Sequence, residues 1–152
     1  MDEIVARSMA KWPNVPAVFG WLELDRRGQW RIKGERISNR ALIDFIGRNY
    51  ERDERGRWYF QNGPQRVYVK LAYTPLVVHH EGDALLDHCG RAFRMEAKFV
   101  DDEGSLLVSG GGTVALMDDR DLARYADEAH LVQRINRLEV ERRFGFVSDP
   151  VP

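Results

Sequence analysis

The chain has 152 residues, of which 43% are hydrophobic, 31% charged and 11% aromatic, the balance of a folded protein rather than of a disordered or membrane-embedded one. Its 23 Lys and Arg nearly cancel 24 Asp and Glu, with the signs interspersed, so charge draws it neither to nucleic acid nor to anionic lipid. A single cysteine excludes an internal disulfide, no apolar run approaches the roughly 20 residues of a membrane span, and the N-terminus lacks a signal-like pattern; the expectation is a cytoplasmic protein.

In chain order, Asp2 caps a short helix with Ile4, Val5, Ser8 and Met9 on one side, and Pro13 and Pro16 stop it. Residues 18–33 alternate as a β-hairpin around "RRG". Ser38 opens a helix over 38–50, whose Leu42, Phe45 and Ile46 form an apolar stripe that packs on a sheet. Strands follow on either side of Asn62-Gly63-Pro64, then "PLVVHHE", "RAFRMEAKFVDD", "SLLVSG" and "TVALM". Asp118 or Asp119 caps a helix over "DDRDLARYADEA", with Leu122, Ala123 and Tyr125 or Ala126 inward, and "LVQRINRLEVERRFGFV" suits either helical or strand periodicity. The class is α+β: an antiparallel β-rich domain with repeated hairpin units, one central amphipathic helix and short terminal helices. It spans residues 1–152 as a single globular unit, or as two β-rich halves of about 12–75 and 76–147.

Three turns share Asp-x-x-Gly-x-apolar: Asp25 to Trp30, Asp53 to Trp58 and Asp101 to Leu106. In each, the Asp side chain can bond the turn backbone and the Gly can take positive φ, as short hairpin loops require. Such recurrence is what a supersecondary unit used twice would leave.

The chain also resembles a proteobacterial family of unknown function. The resemblance is carried by Trp12-Pro13, Gly20, a hairpin holding Gly28 and Trp30, Gly34 with Ile37, the helix positions Leu42 and Phe45, "GRWY" with Gly56, Trp58 and Tyr59, the strand positions Val67 and Val69, and Pro75. "RAFRMEAKFVDDEG" is similar to a further family strand, so the likeness runs from about residue 11 to 117. It implies an α/β protein with repeated structural motifs and a suggested role in signalling or ligand binding, with no established catalytic residues.

Three stretches invite a chemical reading. "VVHHEGDALLDHCG" (77–90) holds three of the four histidines and the cysteine. A two-residue turn at Gly82-Asp83 pairs Glu81 with Ala84, His80 with Leu85, His79 with Leu86 and Val77 with His88. His79 and His88 are then only diagonal neighbours, and His80 and Cys89 lie about four strand positions apart, roughly 13 Å, too far for a nucleophile and its base. The expectation is a hairpin without a metal. "SGGGTVALM" lacks the Lys-Ser/Thr of a phosphate loop and reads as a glycine bulge between strands. In "RLEVERRFGF", Glu139, Glu141 and Arg143 would share a strand face, resembling the metal-triphosphate strand of the triphosphate tunnel family.

The best surface is the pair "RWYF" and "RVYVKL". Val67, Val69 and Leu71 point to the core, while Arg66, Tyr68 and Lys70 point away, with Trp58 beside them and Arg94 and Lys98 extending the cationic surface. The ligand-binding set is Trp58, Arg66, Tyr68, Lys70 and Arg94. The functional expectation is a non-catalytic module binding a small ligand or a protein partner, in signal transduction, with no cofactor, no metal and no membrane; oligomeric state stays open, a homodimer included. The alternatives are a metal-dependent phosphate-ester or triphosphate enzyme using Glu139, Glu141 and Arg143, or a second enzyme set at His79 and His88, and a nucleic-acid binder.

Overall fold

A computed structural model describes residues 12–152; the helix expected around Asp2 lies outside them. The chain divides into two compact units. The first takes in the chain up to Asp25, then Gln29–Ala72 and Val147–Pro152; the second takes in Arg26–Gly28 and Tyr73–Phe146.

The first unit is built on β1 (Ala17–Leu24), β2 (Trp30–Ile32), β3 (Glu35–Arg36), α1 (Arg40–Arg48), β4 (Tyr50–Arg52), β5 (Trp58–Asn62) and β6 (Gln65–Leu71), in the sheet order β3-β2-β1-β6-β5-β4. β1 and β6 are parallel and all other neighbours antiparallel. A parallel pair needs a crossover, and α1 lies in it. Asn39, not Ser38, caps α1, its side chain accepting from Leu42 N–H at 2.9 Å. The expected stripe is the packed face: Leu42 and Ile46 are buried, and Phe45 meets Phe60 edge-on at 5.5 Å. Burial of each such side chain contributes roughly 1.5–3 kcal/mol.

The second unit holds β7 (Leu76–Glu81), β8 (Ala84–Asp87), β9 (Ala97–Val100), β10 (Leu106–Gly110), β11 (Thr113–Met117), a 3-10 segment (Asp119–Leu131), β12 (Gln133–Arg134) and α2 (Arg137–Phe144), in the order β12-β9-β10-β11-β7-β8. Set beside the first sheet, β8-β7-β11-β10-β9 follows the same path as β2-β1-β6-β5-β4, with a central parallel pair in each.

Two expectations after residue 117 are corrected. The segment begun by Asp118 is a 3-10 run, and Leu122, Ala123, Tyr125 and Ala126 are none of them buried. The tail is helical: Asn136 caps α2 by accepting from Leu138 N–H at 2.9 Å, and Gly145, at φ 69°, ends it with its N–H on Glu141 O.

The Asp-x-x-Gly loops are genuine, and a fourth joins the three read from sequence. At Asp53 and Asp101 one carboxylate oxygen accepts two loop N–H groups, the aspartate N–H bonds the carbonyl four residues on, and the glycine N–H returns to the aspartate carbonyl. Asp87 does the same with Cys89, Gly90 and Arg91, and Gly90 sits at φ 86°. Half of the "LLDHCG" stretch is therefore turn chemistry.

Candidate functional site

The Gly63-Pro64 turn fixes the register of β5 against β6: Asn62 pairs with Gln65, Gln61 with Arg66, Phe60 with Val67 and Tyr59 with Tyr68. Because Val67 and Val69 belong to the core, so do Phe60 and its strand mate Trp58, two residues away. Tyr59 and Tyr68 then share the opposite face. Trp58, expected on the binding surface, is instead 6% exposed and packs against Tyr50 at 5.0 Å. Its place is taken by Tyr59.

That opposite face is a layer of rings and guanidinium groups. Phe19 stacks on Tyr68, centroids 4.8 Å apart and planes within 8°. It reaches Tyr68 because β1 bulges between Val18 and Leu22, with Gly20 at φ 70°. Arg57 lies over the Tyr68 ring at 4.5 Å and Arg66 over the Tyr59 ring at 4.3 Å. Both tyrosines are buried while Arg66 keeps partial exposure and Lys70 is exposed.

Arg57 and Arg66 differ in what holds them. Arg57 Nε donates to Asp53 Oδ2 at 2.8 Å, Arg57 Nη2 donates to the Tyr68 hydroxyl at 3.2 Å, and that hydroxyl donates to the same carboxylate at 3.3 Å. Burial alone would raise the Asp53 pKa, but the bonds from Arg57 and Arg55 outweigh it and hold the carboxyl below its ordinary range. Arg57 is thus committed. The Tyr68 hydroxyl favours the charged form of Arg66, and among the described residues neither Arg66 nor Lys70 has a carboxylate within ion-pair distance. They stand four residues apart on β6, about 13 Å along the strand.

Arg94 belongs to the second unit, exposed between β8 and β9, and is not part of this sheet. Lys98 pairs with Glu128 at 3.2 Å. Arg94 and Lys98 thus belong to the second unit and not to the sheet that carries Arg66 and Lys70.

The histidine hairpin has the register expected from its turn, with His79 opposite Leu86 and His80 opposite Leu85. His79 Nε2 meets Glu81 Oε1 at 3.2 Å, His80 Nε2 meets the Tyr125 hydroxyl, and His88 Nδ1 accepts Val77 N–H at 3.2 Å. The three rings serve three different partners. Burial first, then the Asp87 charge, push the Cys89 thiol up to about 12, against the opposing pull of Arg91, so it is not a thiolate nucleophile near neutrality. Among the described residues no three His, Cys, Asp or Glu side chains converge as metal ligands.

The triphosphate-strand reading of the tail is overturned by α2. On a helix Glu139 and Glu141 point about 200° apart, and Arg143 lies over the Phe99 ring at 4.9 Å. A cleft of about 280 Å³ beside the start of α2 is lined by Asp101, Asp102, Arg134 and Glu139 among others. Both of its aspartates are already used: Asp102 accepts Arg137 N–H at 2.7 Å and Asp101 caps its own loop.

A family model described as "Protein of unknown function (DUF2946)" matches residues 1–151, and the chain belongs to that family. Two solved structures share the fold. A DUF1285 family protein from Silicibacter pomeroyi DSS-3 aligns with a TM-score of 0.58 and 18% identity over 84% of each chain. A DUF1285 family protein from Shewanella baltica OS155 aligns with a TM-score of 0.54 and 11% identity, over 70% of this chain and 91% of that one. No curated protein matches the sequence. Among the described residues no helix is long and apolar enough to cross a membrane.

Proposed function

We propose that the chain is a non-catalytic binding module whose ligand or partner carries an anionic group, received by Arg66 and Lys70 on the β5–β6 face of the first unit. The observation that carries this is Arg66: its guanidinium lies over the Tyr59 ring at 4.3 Å yet has no carboxylate partner among the described residues. A guanidinium resting on a ring has less side-chain freedom left to lose and keeps N–H groups for a charge-assisted, bidentate bond to phosphate or carboxylate. The rings themselves are occupied by Phe19, Arg57 and Arg66, so recognition rests on charge and not on stacking a flat ligand.

The family resemblance to signalling or ligand-binding proteins supports the same reading, in a cytoplasmic, regulatory setting. The matching strand orders support a unit used twice, one copy of which carries the surface. The test is a thermal-shift screen of organic phosphates, carboxylates, nucleotides and metal salts against wild type and the double variant Arg66→Glu with Lys70→Glu. Anionic compounds should raise the melting temperature of the wild type alone. Retention of every shift by the variant would place the site elsewhere. A polynucleotide whose binding weakens steeply with salt would favour the nucleic-acid reading.

A further inference from the structure

The 3-10 segment runs for 13 residues, although such runs rarely exceed three or four because their hydrogen bonds are poorly aligned. None of its described side chains is buried, so hydrophobic burial does not hold it down. Beside the tilted packing of the Tyr125 ring on His80, centroids 5.7 Å apart, its attachments to the second unit's sheet are polar. Asp118 N–H donates to Val78 O at 2.8 Å just ahead of it. Asp121 Oδ2 accepts the His80 backbone N–H at 3.0 Å, and the Tyr125 hydroxyl bonds His80 Nε2. Glu128 pairs with Lys98, a partly exposed contact of the kind that contributes little.

Closure also carries a cost at the same histidine. His80 Nδ1 is buried with no hydrogen-bond partner among the described residues, a state that water would relieve. By register, Val78, Val108 and Met117 share the sheet face of His80 and Lys98, and each is at most 1% exposed. A weakly fastened cover thus meets a face that is otherwise dry.

We propose that residues 119–131 form a strap that opens as a unit while the sheet of the second unit stays folded, releasing His80 and admitting water to that face. Local opening of this kind is expected where backbone order rests on few apolar contacts. Hydrogen exchange on the full chain, read by mass spectrometry, tests it. Wild-type amides in 119–131 should exchange at least about tenfold faster than those of β10 and β11. Asp121→Ala should speed exchange in 119–131 and at the His80 amide by about tenfold further, as loss of one charge-assisted bond implies, with the melting temperature nearly unchanged. Tyr125→Phe, which keeps the ring, should act in the same direction and guards against misfolding of the first variant. Strap amides that exchange at the β10–β11 rate in wild type, or variants that leave the strap's rate unchanged, would overturn the proposal.

Discussion

The two sheets follow one strand order and dress the equivalent face in opposite ways. In the second unit Phe99, Leu107 and Leu116 form a cross-strand row, and α2 lies against it with Phe144 edge-on to Phe99 at 5.4 Å. The same row in the first unit is Glu51, Tyr59 and Tyr68, and the groups lying over it are the Phe19 ring and the guanidiniums of Arg57 and Arg66. An apolar row needs a helix to keep water off; a tyrosine row topped by arginine buries its rings and still presents charge. The topology is common to both, so the functional difference lies in the side chains.

The largest test of that contrast is Leu107→Asp. Leu107 is fully buried, and an unpaired carboxylate there should cost more than about 4 kcal/mol and unfold the second unit; Leu42→Asp on the packed face of α1 should do the same to the first. Circular dichroism on heating checks both, and near-wild-type melting would refute the packing.

Gly28→Ala should come next. Gly28 has φ 78°, and an added Cβ would stand 2.8 Å from the His88 Cβ; left-handed strain and overpacking together should cost about 2–4 kcal/mol. Urea denaturation measures it, and a change under 1 kcal/mol on the order of surface substitutions would contradict the close approach.

Asp53→Asn should cost about 1–3 kcal/mol, since it weakens the bonds to Arg57 and Tyr68 and alters the loop cap. Its pH dependence has a definite sign. The folded carboxyl is held below its ordinary range, so the unfolded chain takes up the proton first. The stabilisation is therefore complete above the ordinary value and is lost as pH falls through the lowered one. The melting-temperature gap between wild type and Asp53→Asn should shrink on going from about pH 6 to about pH 3, and a constant gap would remove the role given to this carboxylate.

Much of the fold was legible because its signals are local. Apolar spacing located α1, and the Gly82-Asp83 and Asn62-Gly63-Pro64 turns located two hairpins. The site was half legible. Arg66, Tyr68 and Lys70 were placed on one face by alternation, but Trp58 was grouped with them by its aromaticity; counting register back from Gly63 assigns Trp58 to the core and Tyr59 to the surface. The fourth aspartate loop was hidden by its own His88 and Cys89, which drew a chemical reading to a turn. In the tail, Asn136 and Gly145 mark the two ends of a helix, and the alternating Glu139, Val140 and Glu141 masked them. The covering of Tyr59 and Tyr68 by Arg66 and Arg57 depends on partners 7 and 11 residues away across a turn, contacts that no single-strand pattern specifies.

The most direct measurement compares the two faces in one experiment. Backbone and arginine side-chain NMR spectra of the full chain, titrated with the panel of organic phosphates and carboxylates, report every position at once. The account predicts saturable shifts at Arg66, Lys70 and Tyr59, none at Leu107 or Leu116, and loss of those shifts in Arg66→Glu with Lys70→Glu while the remaining spectrum is preserved. Saturable binding that leaves Arg66 and Lys70 unmoved, or that persists in the double variant, would contradict it.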